Sequence, residues 1–362
     1  MRRILVLSLL AGTALAALLT APGCGGQQTA DSGSTSGVAA QLRAWAVGER
    51  GTILATTDGG TSWIAQRSGT NETLTDVAVA DSAHGWAVGA EGTVLITGDG
   101  GATWTAQRPG ALASRLDAVA CSGPTHAWAV GSSSEDRPVI LATVDGGATW
   151  SLQYSGVEGD RFTDVTFASA SNGWAVHDQG AVLATTDGGA TWVARFDGAS
   201  RQPPERLEGV AFCDSMHGWA VGGRELKGGL ILATTDGGMT WATQRSGLRG
   251  DYLFTSVVCN DSGCGWVASF GDVILTTRDG GGTWKARSSG SRDNVVYALA
   301  FRDSLHGWAV GSRRGEPGDW NSVILATTDG GVTWTKQRQV TDSYLSAVAC
   351  VPSSSAGAGG SE

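Results

Sequence analysis

One eight-residue segment recurs seven times in this chain of 362 residues, and it constrains the fold more than any other feature. Written TTDGGxTW, it ends at Trp63, Trp104, Trp150, Trp192, Trp241, Trp284 and Trp334, with small changes such as TGDGGATW and TRDGGGTW. Successive copies lie 41 to 50 residues apart. A second, (G/A)WxxG-like marker precedes each copy, at Trp45, Trp86, Trp128, Trp174, Trp219, Trp266 and Trp308. Fourteen of the fifteen tryptophans therefore fall in register. This is the period of a four-stranded propeller blade.

The second repeat shows the strands. LTDVAVA (74–80) alternates and reads as strand a, HGWAVG (84–89) as b, GTVLITGDGG (92–101) as c plus a turn, and TWTAQR (103–108) as d. No helix-period segment longer than a turn follows the N-terminal leader, so the class is all-β. The first repeat begins at its own strand b (AWAVG, 44–48), while the chain's last apolar segment, YLSAVACV (344–351), matches strand a of the third repeat, LDAVAC (116–121). The expected fold is a seven-bladed β-propeller over residues 43–351, with four-stranded antiparallel blades. The C-terminal strand should complete the first blade and leave no open sheet edge.

The box has a mechanical reading. Asp-Gly-Gly between two strands signals a tight turn, because Gly takes positive φ without a Cβ penalty. The carboxylates of Asp58, Asp99, Asp145, Asp187, Asp236, Asp279 and Asp329 can accept backbone N–H bonds across it, with the flanking Thr hydroxyls closing the network. Each box Trp then turns inward, for about 4–6 kcal/mol of gross burial before ordering entropy is subtracted. Seven symmetry-related carboxylates around a rim cannot converge on one substrate, so these residues are structural.

The ends differ in composition. Residues 1–23 carry early arginines and an apolar Leu/Ala-rich run, the pattern of a signal peptide of lipoprotein type. Ala21-Pro22-Gly23-Cys24 resembles a lipobox, with Ala21 where Leu is usual, and makes Cys24 the candidate lipidated residue; ordinary cleavage after Ala14-Leu15-Ala16 competes. Residues 24–42 read as a flexible tether and 352–362 as a disordered tail. The net charge of −9 argues against nucleic acid as a partner. Cys259 and Cys264 flank a turn and are the candidate disulfide, leaving Cys121, Cys213 and Cys350 as buried small hydrophobes. No metal-ligand spacing and no cofactor motif is present.

Strand order places the b–c loops and d–a linkers on one face, which carries nearly all the length variation. Arg115, Arg161 and Arg206 each immediately precede the first apolar residue of strand a in three consecutive repeats, so their guanidinium groups should gather at one sector of the channel mouth. Arg249 and Arg292 sit slightly earlier in the next two linkers, and Arg313, Arg314 and Trp320 lie in the longest b–c loop. These eight residues form the candidate partner site, a local basic patch suited to carboxylates or phosphates, with Trp320 as an anchor. The competing reading pairs each arginine with a nearby acid (Asp160, Glu205, Asp251) and folds Trp320 onto its own blade. His84, His126, His217 and His306 all sit two residues before the strand b Trp and read as turn chemistry.

These motifs resemble the Asp-box, or bacterial neuraminidase, repeats of sialidases and some xyloglucan-degrading enzymes. The paired GWAVG and TTDGGxTW markers, over seven blades, most resemble the photosystem II assembly and stability factor family. That resemblance implies a non-catalytic platform, expected here as a monomer, whose partner is a protein such as a membrane-protein assembly intermediate. It also implies a basic patch on one face; the membrane itself would be reached only through a lipid anchor. A sialidase would need three converging arginines and a Tyr nucleophile; Tyr297 or Tyr344 could be imagined, yet the Arg-Ile-Pro signature is missing. A glycosidase would use paired carboxylates, for which Asp76 and Asp164, in one strand a position, and Asp117 and Glu208, one residue earlier, are candidates.

Overall fold

The computed structural model describes residues 42–198, 205–224, 228–248, 250, 252–260, 263–291, 294–313, 321–341 and 343–351. Seven four-stranded antiparallel sheets form a ring. Their innermost strands a run Leu345–Cys350 in blade 1, Leu74–Val79 in blade 2, Arg115–Cys121 in blade 3 and Phe162–Phe167 in blade 4. Glu205–Phe212, Phe254–Cys259 and Asn294–Phe301 serve blades 5, 6 and 7. Blade 1 closes as its sequence requires: Ala44–Gly48 pairs on one side with Ile53–Thr56 and on the other with Leu345–Cys350, in the register Ala44↔Cys350 to Val47↔Ala347.

The core is divided among the blade interfaces. Each of seven buried clusters joins residues of two adjacent blades, as where Trp128 and Val130 of blade 3 meet Phe162 and Val165 of blade 4. The strand b tryptophans are at most 2% exposed. Three of them stack on a Phe from the next blade's strand a: Trp128 on Phe167, Trp174 on Phe212 and Trp266 on Phe301, with centroids 3.4–3.8 Å apart. Planar stacking of this kind adds about 0.5–1.5 kcal/mol to plain burial.

The box turn does more than reverse the chain. In blade 4, Thr185 Oγ1 donates to Asp187 Oδ1 (2.7 Å) and accepts from Gly189 N–H (2.8 Å). Asp187 in turn accepts from the Thr191 backbone (2.9 Å) and hydroxyl (2.7 Å). The same four bonds recur in the other blades, as at Thr56–Asp58–Ser62 and Thr327–Asp329–Thr333. The turn's outward carbonyl is then an acceptor for the preceding blade. Trp128 Nε1 donates to Gly188 O (3.0 Å), Trp174 Nε1 to Gly237 O (3.0 Å) and Trp266 Nε1 to Gly330 O (2.9 Å). Gln66, Gln244 and Gln337 on strands d each donate to the next blade's box carbonyl and accept from its box Trp. The motif therefore links blades as well as strands.

Arg338, four residues after a box Trp, also crosses between blades: its Nη1 donates to the Trp63 carbonyl of blade 1. Against the expectation that Cys213 is an unpaired small hydrophobe, it is bonded to Cys259 of the neighbouring blade, with Cα atoms 5.5 Å apart. Cys213 is thus a cross-link between blades 5 and 6, and Cys264, itself disulfide-bonded, is fully buried. Neighbouring strands a run side by side around the channel, which brings residues one repeat apart within bridging distance. The histidines are turn elements: Nδ1 of His84, His217 and His306 meets Asp81, Asp214 and Asp303, three residues earlier.

Candidate functional site

The first turn of strand a decides what faces the channel. A register shift in strand a, as between Leu74 and Asp76, turns two successive side chains towards the neighbouring blade. In blade 2 these are Thr75, donating to Leu116 O (2.7 Å), and Asp76, accepting from Val119 N–H (2.8 Å). In blade 4, Thr163 donates to Leu207 O (2.9 Å) and Asp164 accepts from Val210 N–H (2.8 Å). Both aspartates border a central cavity of about 290 Å³. Burial pushes the Asp76 carboxyl up to about 7; burial and the nearby Asp76 push Asp164 to about 8. Each is committed to a backbone N–H of the next blade, so the pair proposed from sequence as glycosidase carboxylates holds blades together.

Blades 3 and 5 carry acids one residue earlier, and these organise the arginines. Asp117, its side chain only 4% exposed, accepts from Arg115 Nε (2.7 Å) and from Arg161 Nη2 (2.8 Å) and Nε (3.3 Å). Arg115 and Arg161 come from adjacent blades and are each about half exposed. The hydrogen bonds to Asp117 raise the Arg161 pKa further, so its charge is permanent. Glu208 lies among Arg206, Arg161 and Asp178; burial raises its pKa and the two arginines oppose that. Arg115, Arg161 and Arg206 are thus assembled into one arc across blades 3, 4 and 5 with Asp117 and Glu208 between them. Among the described residues, the terminal nitrogens of Arg115 have no partner, and both guanidinium groups present donors to solvent.

The arc is what the spacing of the three arginines predicts; Arg161 is held by Asp117 and not by the adjoining Asp160, while Asp251 lies outside the described residues. Asp160 faces His177 at 3.4 Å instead. Arg313 is exposed on the same face at the end of strand b of blade 7, and Arg137 is tied to Glu135 within its own loop at 3.2 Å. Arg249, Arg292, Arg314, Trp320 and Cys24 lie outside the described residues. Sequence reasoning missed an apolar sector of the same mouth. Leu253 and Phe270 of blade 6 are 38% and 54% exposed, and the Phe270 ring sits 6.1 Å from Tyr297 of blade 7. Phe270 follows strand b where the other repeats place a polar or small residue, and that departure was its only signal. Tyr297, imagined as a nucleophile, shares its hydroxyl with Ser312 at 2.6 Å. Among the described residues no group of His, Cys, Asp and Glu side chains is placed to hold a metal ion.

The sequence profile of the photosynthesis system II assembly factor YCF48 family matches residues 63–156, 112–196 and 201–292. No curated protein matches the chain by sequence. Among solved structures, YCF48 bound to D1 peptide superposes with a TM-score of 0.55 at 22% identity, covering 74% of this chain and 81% of that one. YCF48 from Cyanidioschyzon merolae gives 0.54 at 23%, covering 73% and 84%. The GH74 xyloglucanase from Xanthomonas campestris gives 0.59 at 15% identity, covering 82% of this chain and 52% of the enzyme. At these identities the structural likeness speaks for the fold alone.

Proposed function

The chain belongs to the photosynthesis system II assembly factor YCF48 family, and from that premise we propose that it is a non-catalytic platform that binds a partner protein by a peptide carboxylate at the Arg115–Arg161–Arg206 arc. One observation carries the reading: two half-exposed guanidinium groups from different blades are fixed on a nearly buried acid, with free donors left over. Asp117 sets their geometry before any ligand arrives, which lowers the ordering cost of binding. A C-terminal carboxylate suits paired Arg donors, and the apolar sector at Leu253 and Phe270 suits the side chains that precede it. The solved complex of YCF48 with a D1 peptide supports a peptide as the ligand class. A hydrolase is disfavoured because Asp76, Asp164 and Asp117 are already engaged by backbone N–H or Arg groups.

We also propose that the protein is exported and anchored through Cys24, with residues 24–42 as tether, on the strength of the leader composition. Metabolic labelling with an alkynyl fatty acid should mark the wild type and miss Cys24→Ser; a soluble, unlabelled wild type would remove the anchor. For the platform, an array of C-terminal peptides presented with free or amidated ends tests the reading. Binding should require the free carboxyl and disappear in an Arg115→Ala/Arg161→Ala variant. Equal binding of amidated peptides, or of the double variant, would sink it.

A further inference from the structure

The repeat breaks at one blade boundary in a coordinated way. Five blades place glycine three residues after the strand b Trp (Gly48, Gly89, Gly131, Gly222 and Gly311), where a Cβ would stand 1.9–2.1 Å from the carbonyl oxygen of a residue in or just before strand a. Blade 4 has His177 there. Across the boundary, four blades place an arginine four residues after the box Trp (Arg67, Arg108, Arg245, Arg338), and blade 3 places Tyr154. The Tyr154 ring meets Phe162 edge-on at 5.7 Å, and Phe162 meets His177 edge-on at 5.6 Å. Where several positions leave a repeat's rule together, a function is the usual reason.

The departure opens a groove of about 620 Å³ between blades 3 and 4, bordered by Tyr154, Trp192, His177, Glu158, Asp160 and Asp197. Among the described residues its lining carries the carboxylates of Glu158, Asp160 and Asp197 and one imidazole. His177 is a built element: its side chain is 9% exposed and its Nδ1 accepts from Gln179 N–H (3.2 Å). In the neutral ring the proton therefore sits on Nε2, which faces Asp160 Oδ2 at 3.4 Å without closing a hydrogen bond. Glu158 is exposed. Acceptors beside two aromatic side chains suit a cation. The groove also adjoins the mouth: Asp160 borders it, and the next residue, Arg161, belongs to the arginine arc, about 3.5 Å further along an extended chain.

We propose that this groove is a second recognition site, taking an arginine or lysine side chain of the peptide whose carboxylate the arc holds. This rests on the peptide-binding reading above, and the test separates the two. The probe is acetyl-Gly-Gly-Arg-Gly-Gly-amide, which has no carboxylate, titrated against the folded protein while the Trp192 indole N–H and His177 imidazole resonances are followed. The expected result is a saturable shift of both, weakened about tenfold by Asp160→Asn and also by Glu158→Gln on the exposed linker. The Gln counterpart of the peptide should leave them in place. Equal shifts with the Gln peptide, or no effect of either substitution, would overturn the proposal. Acetyl-Gly-Gly-Gln-Gly-Gly with a free carboxyl reports the arc through the Arg115 and Arg161 Nε–H signals. If that peptide is silent while the Arg peptide still moves Trp192, the groove stands and the arc reading falls.

Discussion

On the box face every blade repeats one hydrogen-bond set around one aspartate, whereas on the mouth face the first turn of strand a differs from blade to blade. Thr75–Asp76 and Thr163–Asp164 join blades 2 and 4 to their successors, Asp117 and Glu208 gather arginines in blades 3 and 5, and at blades 6 and 7 an exposed Phe270 lies beside the half-buried Tyr297. The carboxylates report the same contrast. Box aspartates such as Asp145, Asp187 and Asp236, hydrogen-bonded to their Thr neighbours, are held down at about 2. Asp76 and Asp164, buried, are lifted to about 7 and about 8. One face holds shape through repetition; the other gains specificity by breaking it.

The comparison can be broken most forcefully at the blade interfaces. Trp266→Ala removes a buried ring stacked on Phe301 and a bond to Gly330 O, and should cost about 3–5 kcal/mol in denaturant unfolding. A loss below about 1 kcal/mol would mean that the blades are not joined through these rings.

The two carboxylate classes predict opposite pH slopes. Asp76 and Asp164 bind their protons more tightly when folded, so their stabilisation is complete below about pH 4 and is lost as pH rises through about 7 and about 8. The box aspartates bind theirs less tightly when folded; their contribution is present above about pH 4 and lost as pH falls through about 2. Asp76→Asn with Asp164→Asn should flatten the alkaline slope, a change of a few kcal/mol by pH 8, and leave acid unfolding unchanged. Unchanged alkaline behaviour in that variant would show that the two groups are ionised and hydrated.

Thr185→Val strands the Gly189 N–H inside the turn and should cost about 1–3 kcal/mol. Thr56→Val and Thr327→Val should cost the same within error, because their bonds are the same. Unequal losses would undermine the equivalence of the box turns. The smallest stability effect belongs to the mouth: Arg161→Gln should change unfolding by less than about 1 kcal/mol, since the group is half exposed, while abolishing capture of a free-carboxyl peptide. A large loss of stability would make the arc a structural clamp.

The fold was legible because its signals are local and periodic. A Trp before and after each strand pair sets blade count and phase, and the unmatched strand at 344–351 shows where the ring closes. The positions of Arg115, Arg161 and Arg206 were legible for the same reason, since their phase relative to strand a fixes the face they share. Their partners were not. Arg161 meets Asp117, 44 residues earlier and on the adjacent blade, while the closer Asp160 turns to His177. Cys213 and Cys259, 46 residues apart, escaped notice in the same way. Local sequence carries the phase of each strand; the curvature of the ring decides which neighbours face one another. His177 could have been found as the one bulky residue at a site otherwise occupied by glycine or serine.

The pairing of Leu345–Cys350 with Ala44–Gly48 also orders events in time. During synthesis the earliest strand of the ring must wait, its channel-side hydrogen-bonding edge unmet, until Leu345–Cys350 has been made. A chain stopped anywhere before Leu345 would display that edge to proteases and to other unpaired strands. Closure is therefore a built-in check on the ring, and only a closed ring could offer a rigid mouth to a client.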